Sequence, residues 1–306
     1  MAEWPELEPE LRARLALDPD GFEAMIDAFL DTVPSLPADA EWVDRALGYP
    51  WERPDGSYVL DADRVVPLGE AAQPGRSAVG EVASRAHELA DGPAEVVGAL
   101  RMAPRQPLLA VGSNGAPSTL VRKFAGLTGN DARILVETGW VADLDIGAVA
   151  SPTVYGSFPA TPIESPGTRV RAALLWPTPA QLAALTWSEL SYWVGRLDGH
   201  PFTPGDGTPP VGVYLIYVNR WGALRLGDER LALAAFEARA RSARPVTQRE
   251  LLDETAPLWL GTGATGDDLL ARLATDHATT RRALAPLLRP LAEPFSPPGW
   301  TPLPAR

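Results

Sequence analysis

The sequence predicts an α+β protein with helices at both ends and a strand-rich middle. Near the N-terminus, Phe22, Met25, Ile26, Phe29 and Leu30 fall on one helical face. Between Leu108 and Leu226, apolar residues gather into runs bounded by Gly, Pro and Asn, the pattern of strands and turns. From Asp228 onward helical spacing returns, with Leu231, Ala234, Ala235 and Ala238 on one side of a helix expected over 229–241. Three regions follow: 1–105 mainly helical, 106–227 a strand-rich domain, and 228–306 helical and packed on that domain.

The N-terminal region is read as helices separated by proline breaks. Asp20 to Glu23 has the form of a capping box, and Pro34 and Pro37 end the helix that follows. A second helix is expected from Ala38 to Leu47, then an aromatic loop from Tyr49 to Gly56 and a short strand over Ser57–Leu60. Two more helices are expected between Gly75 and Met102, broken at Asp91-Gly92-Pro93. Trp4, Trp42 and Trp51 read as packing anchors. The boundary to the middle is placed at Ala103–Pro107.

The middle opens with an apolar run, Leu108 to Val111, that stops at Gly112-Ser113-Asn114-Gly115 and feeds a helix at Ser118. Such a strand–turn–helix can present backbone amides to an anion, and glycine there admits close approach; it is equally the form of a plain tight turn. Ile134–Val149, Arg169–Leu175 and Val211–Val218 read as strands. Asp143 and Asp145 would share a strand face, where a solvated face competes with a divalent-cation site that lacks a third ligand. His200 to Pro210 reads as a Pro/Gly-rich loop, either a flap over a site or an insertion. Thr178-Pro179 starts a short helix that ends near Leu185. After Asp228, Thr247 to Glu250 is a capping box, and the chain from Glu293 is expected as an extended surface tail.

Composition narrows the function classes. Asp and Glu number 39 against 27 Lys and Arg, a formal charge of −12, which argues against a nucleic-acid partner. No secretory h-region opens the chain and no apolar run is long enough to span a bilayer, so no membrane partner is expected. Cys is absent, which removes disulfides and thiolate chemistry and fits a cytoplasmic protein. Lys123 is the only lysine among many arginines, a feature attributed to composition bias.

Several familiar patterns do not apply. Gly261 to Gly266 matches G-x-G-x-x-G, but the chain after its helix offers no strand, so it reads as a helix-linking turn. Val111 stands where a nucleophile elbow needs its first glycine. His87, His200 and His277 lack metal-ligand spacing. Glu189 has more to offer. Trp187, Tyr192 and Trp193 flank it, and a desolvated carboxylate suits base work near neutral pH. It also completes a capping box with Thr186, its structural reading.

An ordered set of elements from Leu108 to Leu197 resembles the γ-glutamylcyclotransferase-like superfamily, which includes BtrG-type deprotecting enzymes. The elements are Val111-Gly112-Ser113-Asn114 after a strand, Gly156 to Pro162 with Ala160-Thr161, Ser165 to Thr168 before a strand, and Leu185 followed by Glu189. The resemblance implies a small mixed β-barrel of that type, here carrying helical N- and C-terminal additions. It implies Glu189 as general base, with Val111, Gly112, Ser113, Asn114, Ala160, Thr161 and Tyr192 around the substrate. It further implies cleavage of a γ-glutamyl or related amide by its own α-amine, giving 5-oxoproline and a free amine without metal or cofactor. Two residues depart from the family pattern: Val111 replaces the usual Tyr, and Leu190 replaces the Gly that often follows the Glu. The partner expected is a small-molecule substrate, and the additions are candidates for a homodimer surface. The rival expectation is a non-catalytic binding or scaffold protein that keeps the barrel.

Overall fold

The computed structural model describes residues 8–33, 39–68, 93–102 and 104–303. Helices α1 (Pro9–Leu15), α2 (Pro19–Thr32) and α3 (Ala40–Leu47) precede a hairpin of β1 (Tyr58–Asp61) and β2 (Arg64–Pro67), and α4 (Pro93–Leu100) follows. The middle contains β3 (Leu108–Ala110), α5 (Pro117–Lys123), β4 (Arg133–Ala148), β5 (Ala160–Leu175), α6 (Pro179–Ser188), β6 (Tyr192–Pro204) and β7 (Val211–Asn219). Four short strands come next: β8 (Ala223–Leu226), β9 (Glu229–Leu233), β10 (Ala238–Arg239) and β11 (Arg244–Val246). Helices α7 (Gln248–Leu260), α8 (Gly266–Thr275) and α9 (His277–Leu288) lead to β12 (Ala292–Glu293) and β13 (Thr301–Pro302).

The fold is α+β, built on a closed five-strand mixed barrel with helices around it. The strands run β5–β3–β7–β6–β4, and β4 pairs back on β5 to close the ring. Only β3 and β7 are parallel; the other barrel pairs are antiparallel. The pairing is uneven: β4 and β5 pair over most of their length, whereas β6 meets β4 only at residues 202–204. One apolar cluster joins barrel residues such as Leu109, Val141, Leu174 and Ile216 to Trp42 of α3 and to Leu251, Leu269 and Leu284 of α7–α9. The helices at both ends therefore share the barrel's core.

Several local expectations change on pairing. The helix expected over 229–241 is absent: Gly227, in the left-handed region, turns β8 into β9, and Ala232 meets Gly147 of β4. The C-terminal region thus begins as strands, because cross-strand pairing outweighs the helix preference of its alanines. His200 to Pro204 belong to β6, so the loop shrinks to residues 205–210. The expected tail is a strap. Phe295 is buried, Trp300 sits on Gly195, and β13 pairs with β6. Asp18, not Asp20, caps α2 by accepting the Gly21 N–H at 2.7 Å. The turn at Gly261 does link two helices, with Thr265 capping α8. The expected helices before Pro93, with His87, Trp4, Pro34 and Pro37, lie outside the described residues. Among the described residues, no helix is long and apolar enough to cross a membrane.

Candidate functional site

The Gly112–Gly115 turn and Glu189 meet where β3 ends and β6 begins. Ser113–Gly115 form one 3₁₀ turn, and Pro117 at the first turn of α5 starts the helix whose last residue is Lys123. On the other side, Thr178 and Gln181 form a capping box that starts α6. This helix runs to Ser188, beyond the expected end at Leu185. The Thr186 hydroxyl donates to the Leu182 carbonyl at 2.7 Å, so it forms no capping box with Glu189. Glu189 is instead the C-cap residue, with φ −112° and ψ 40°, and its carbonyl accepts the Tyr192 N–H at 2.9 Å. Its side chain is released from its own helix.

The Glu189 carboxylate is held through one oxygen. Oε1 accepts the Asn114 amide Nδ2–H at 3.0 Å and the Lys123 ammonium at 2.7 Å. Lys123 also donates to Asn114 Oδ1 at 2.7 Å, closing a triangle of charge-assisted hydrogen bonds. The lysine side chain is 6% exposed and the glutamate 16%. Lys123 sits at the C-terminal end of α5, where a cation is favoured by the helix carbonyls. Among the described residues, no donor occupies Oε2. A carboxylate fixed at one oxygen and open at the other can accept a ligand N–H there, and can take a proton.

Two phenols stand beside this cluster. Tyr49, just past α3, accepts the Ala160 N–H at 3.0 Å, while Tyr192 donates to the Ala160 carbonyl at 2.9 Å. A side chain at Gly112 would begin 2.7 Å from the Tyr49 hydroxyl, so the space left by this glycine is filled by the phenol oxygen. Burial raises both phenols well above their ordinary range. The Glu189 charge pushes the same way, while the Ala160 and Ser113 backbone N–H groups pull Tyr49 back. Both hydroxyls are therefore protonated at any physiological pH. Arg53 fixes the loop after Tyr49 by donating to the Ala235 carbonyl at 2.7 Å, its guanidinium 4.0 Å from the Phe236 ring centroid.

The structure thus gathers Gly112, Asn114, Ala160, Tyr192 and Glu189. It uses the others differently. Val111 packs in the core. Thr161 is fully buried, and its hydroxyl accepts the Asn219 N–H at 3.1 Å. Ser113 is half-buried and heads the 3₁₀ turn. Tyr49 and Lys123 join the cluster although neither is among the site residues the sequence suggests. Lys123 had a signal, since a single lysine among arginines is unusual; Tyr49 had none.

The aspartate pair does not share a face. A bulge between Ala142 and Leu144 puts Asp143 at φ 59°. Its carboxylate accepts the Gly167 N–H at 2.7 Å, while Asp145 is fully buried in a two-point pair with Arg241 at 2.8 and 2.9 Å. Asp143 is exposed and Asp145 is not, so the two form no shared solvated face. Among the described residues, no three His, Cys, Asp or Glu side chains gather as metal ligands. His200 and His277 instead contact backbone carbonyls, those of Ala142 and Leu30. A pocket of about 360 Å³ lies elsewhere, between the β8–β9 turn and residues 290–294. No family model and no curated protein matches the chain.

Proposed function

We propose that the Glu189 cluster is the acid–base centre of a γ-glutamylcyclotransferase-like enzyme. Its substrate is a γ-glutamyl or related small amide, and it needs no metal or cofactor. The observation that supports this reading is the release of the Glu189 carboxylate from its own helix to Asn114 of the Gly112–Gly115 turn. In the reaction, Glu189 takes a proton from the substrate's α-ammonium. The freed amine then attacks the γ-carbonyl carbon, a new C–N bond forms, and the carbonyl electron pair moves to oxygen. When the intermediate collapses, the old C–N bond breaks, Glu189 returns its proton to the departing amine, and the carboxylate so regenerated takes the extra proton of the lactam nitrogen and passes it to solvent. The products are 5-oxoproline and a free amine. Holding the amine beside its own carbonyl supplies much of the acceleration.

A second reading, a binding or scaffold module that retains the barrel, is favoured by the closed Lys123–Glu189 pair. Mass-spectrometric screening of γ-glutamyl amides with the whole protein separates the two. The enzyme reading expects 5-oxoproline and the free amine in equal amounts. It also expects Glu189→Gln to lower turnover by about two to four orders of magnitude with melting unchanged. A folded Gln variant at wild-type rate would remove Glu189 from the reaction.

A further inference from the structure

The N-terminal region delivers one side chain into the cluster, and its chemistry is that of a hydrogen-bond donor. Tyr49 lies outside the segment that resembles the cyclotransferases, on the loop after α3. Its oxygen accepts the Ala160 N–H and rests on the bare Cα of Gly112. Among the described residues, no acceptor takes its proton. We propose that Tyr49 is a catalytic residue: its hydroxyl donates to the substrate's carbonyl oxygen as that oxygen becomes an oxyanion.

Three observations carry this role. First, the Ala160 N–H, which a substrate oxygen beside the turn could otherwise meet, is bonded to the phenol at 3.0 Å. An oxygen that accepts from backbone N–H groups becomes a stronger O–H donor, because hydrogen bonds in a chain polarise one another. Second, burial and the nearby Glu189 charge keep the phenol protonated, so it serves as a donor and not as a competing base. Third, the ring is fixed. Tyr49 packs in the core and edge-on to Trp51, with ring centroids 5.6 Å apart. A donor held before the oxyanion forms needs little reorganisation, which is the condition for large electrostatic stabilisation.

No covalent step at Tyr49 is involved. The proton stays on the phenol, and the hydrogen bond shortens while the carbonyl carbon is tetrahedral. The assignment also accounts for Val111. Where the family carries a tyrosine before the glycine, this chain has valine, and a phenol arrives from a different part of the sequence. The helical N-terminal region is then part of the site.

This inference rests on the amide-cleavage reading, and the test keeps the two apart. Steady-state kinetics of wild type and Tyr49→Phe are compared on one γ-glutamyl amide, with thermal melting of both. The variant keeps the ring and loses only the hydroxyl. The expected result is a kcat lowered about 100-fold, in the range for removal of one oxyanion donor, with KM little changed. A Tyr49→Phe variant that melts like wild type and turns over at the same rate or faster would overturn the donor role. A faster variant would mean that the phenol merely fills the substrate's place. If Tyr49→Phe does not fold, Gly112→Ala, whose Cβ would meet the hydroxyl at 2.7 Å and Ala160 Cβ only at ordinary contact distance, must lower kcat. A folded and fully active Gly112→Ala would overturn the proposal. A wild type that cleaves no γ-glutamyl amide would overturn the amide reading and the donor role with it.

Discussion

Asp145 and Glu189 are carboxylates of the same barrel, each paired with a cation, and they are paired in opposite ways. Asp145 presents both oxygens to one guanidinium and is fully buried. Glu189 gives a single oxygen to Lys123 and Asn114 and keeps partial exposure. Planar Arg and carboxylate fit two-point; an ammonium is a point donor that leaves half of the acid unengaged. A carboxylate paired at both oxygens is a structural bolt. One held at a single oxygen is fixed in place and keeps its other oxygen open to a donor.

Substitution at each acid tests that distinction most directly. Glu189→Gln is expected to cost about two to four orders of magnitude in turnover and little in stability. Asp145→Asn is expected to do the reverse. It leaves the Arg241 charge poorly matched inside the fold, at a cost of about 3–5 kcal/mol, with the kinetic constants of the surviving folded protein unchanged. Denaturant titration beside single-substrate kinetics reads both. If Asp145→Asn melts like wild type, the contrast between the two acids fails.

Next in size is the turn itself. Gly112→Val places a branched side chain against the Tyr49 hydroxyl, which a Cβ would meet at 2.7 Å. It should lower kcat/KM by about tenfold or more through displacement of the phenol. Ser113→Ala keeps every backbone amide and should retain most activity. A dead, folded Ser113→Ala with an acyl group trapped on Ser113 in the parent would replace amine attack by serine-type transfer.

The smallest expected effect is that of chelation. Asp143 and Asp145 are held by Gly167 and Arg241, so dialysis against EDTA should leave turnover unchanged. A loss that added Zn²⁺ or Mn²⁺ restores would return attention to the acids of the barrel.

Local signals in the sequence reach the frame of this site but not its contents. The apolar run at Leu108, the small residues of the turn and the proline at the start of α5 are local features, and strand, turn and helix follow them. Glu189 stands out because aromatics surround it in sequence. Lys123 is near Asn114 in sequence, but its meeting with Glu189 spans 66 residues and that of Tyr49 with Ala160 spans 111, contacts that only tertiary packing makes. No periodicity encodes such a meeting. Residues 229–241 mislead for another reason: Leu231, Ala234, Ala235 and Ala238 have helical spacing, yet Gly227 turns β8 into β9 and β9 then meets β4 at Gly147 across the barrel, which buries Leu231 and Leu233. The bulge at Asp143 is likewise invisible, since nothing local marks the register shift that separates it from Asp145.

The strap at the C-terminal side bears on the order of events during synthesis. β6 pairs with β7 from Tyr192 to Asp198, while its pairing with β4 is confined to residues 202–204. The stretch at Gly195–Arg196 is covered on its other side by β13, and the Trp300 ring lies on Gly195. The Asp198 N–H bonds the Gly299 carbonyl at 3.2 Å, and the Leu303 N–H bonds the Val194 carbonyl at 2.9 Å. A ribosome makes β6 well before it makes β13. Through that interval the nascent barrel presents an unpaired strand edge a few residues from Tyr192, the kind of surface on which foreign strands add. The late residues act as a built-in guard for the part of the wall next to the Glu189 cluster.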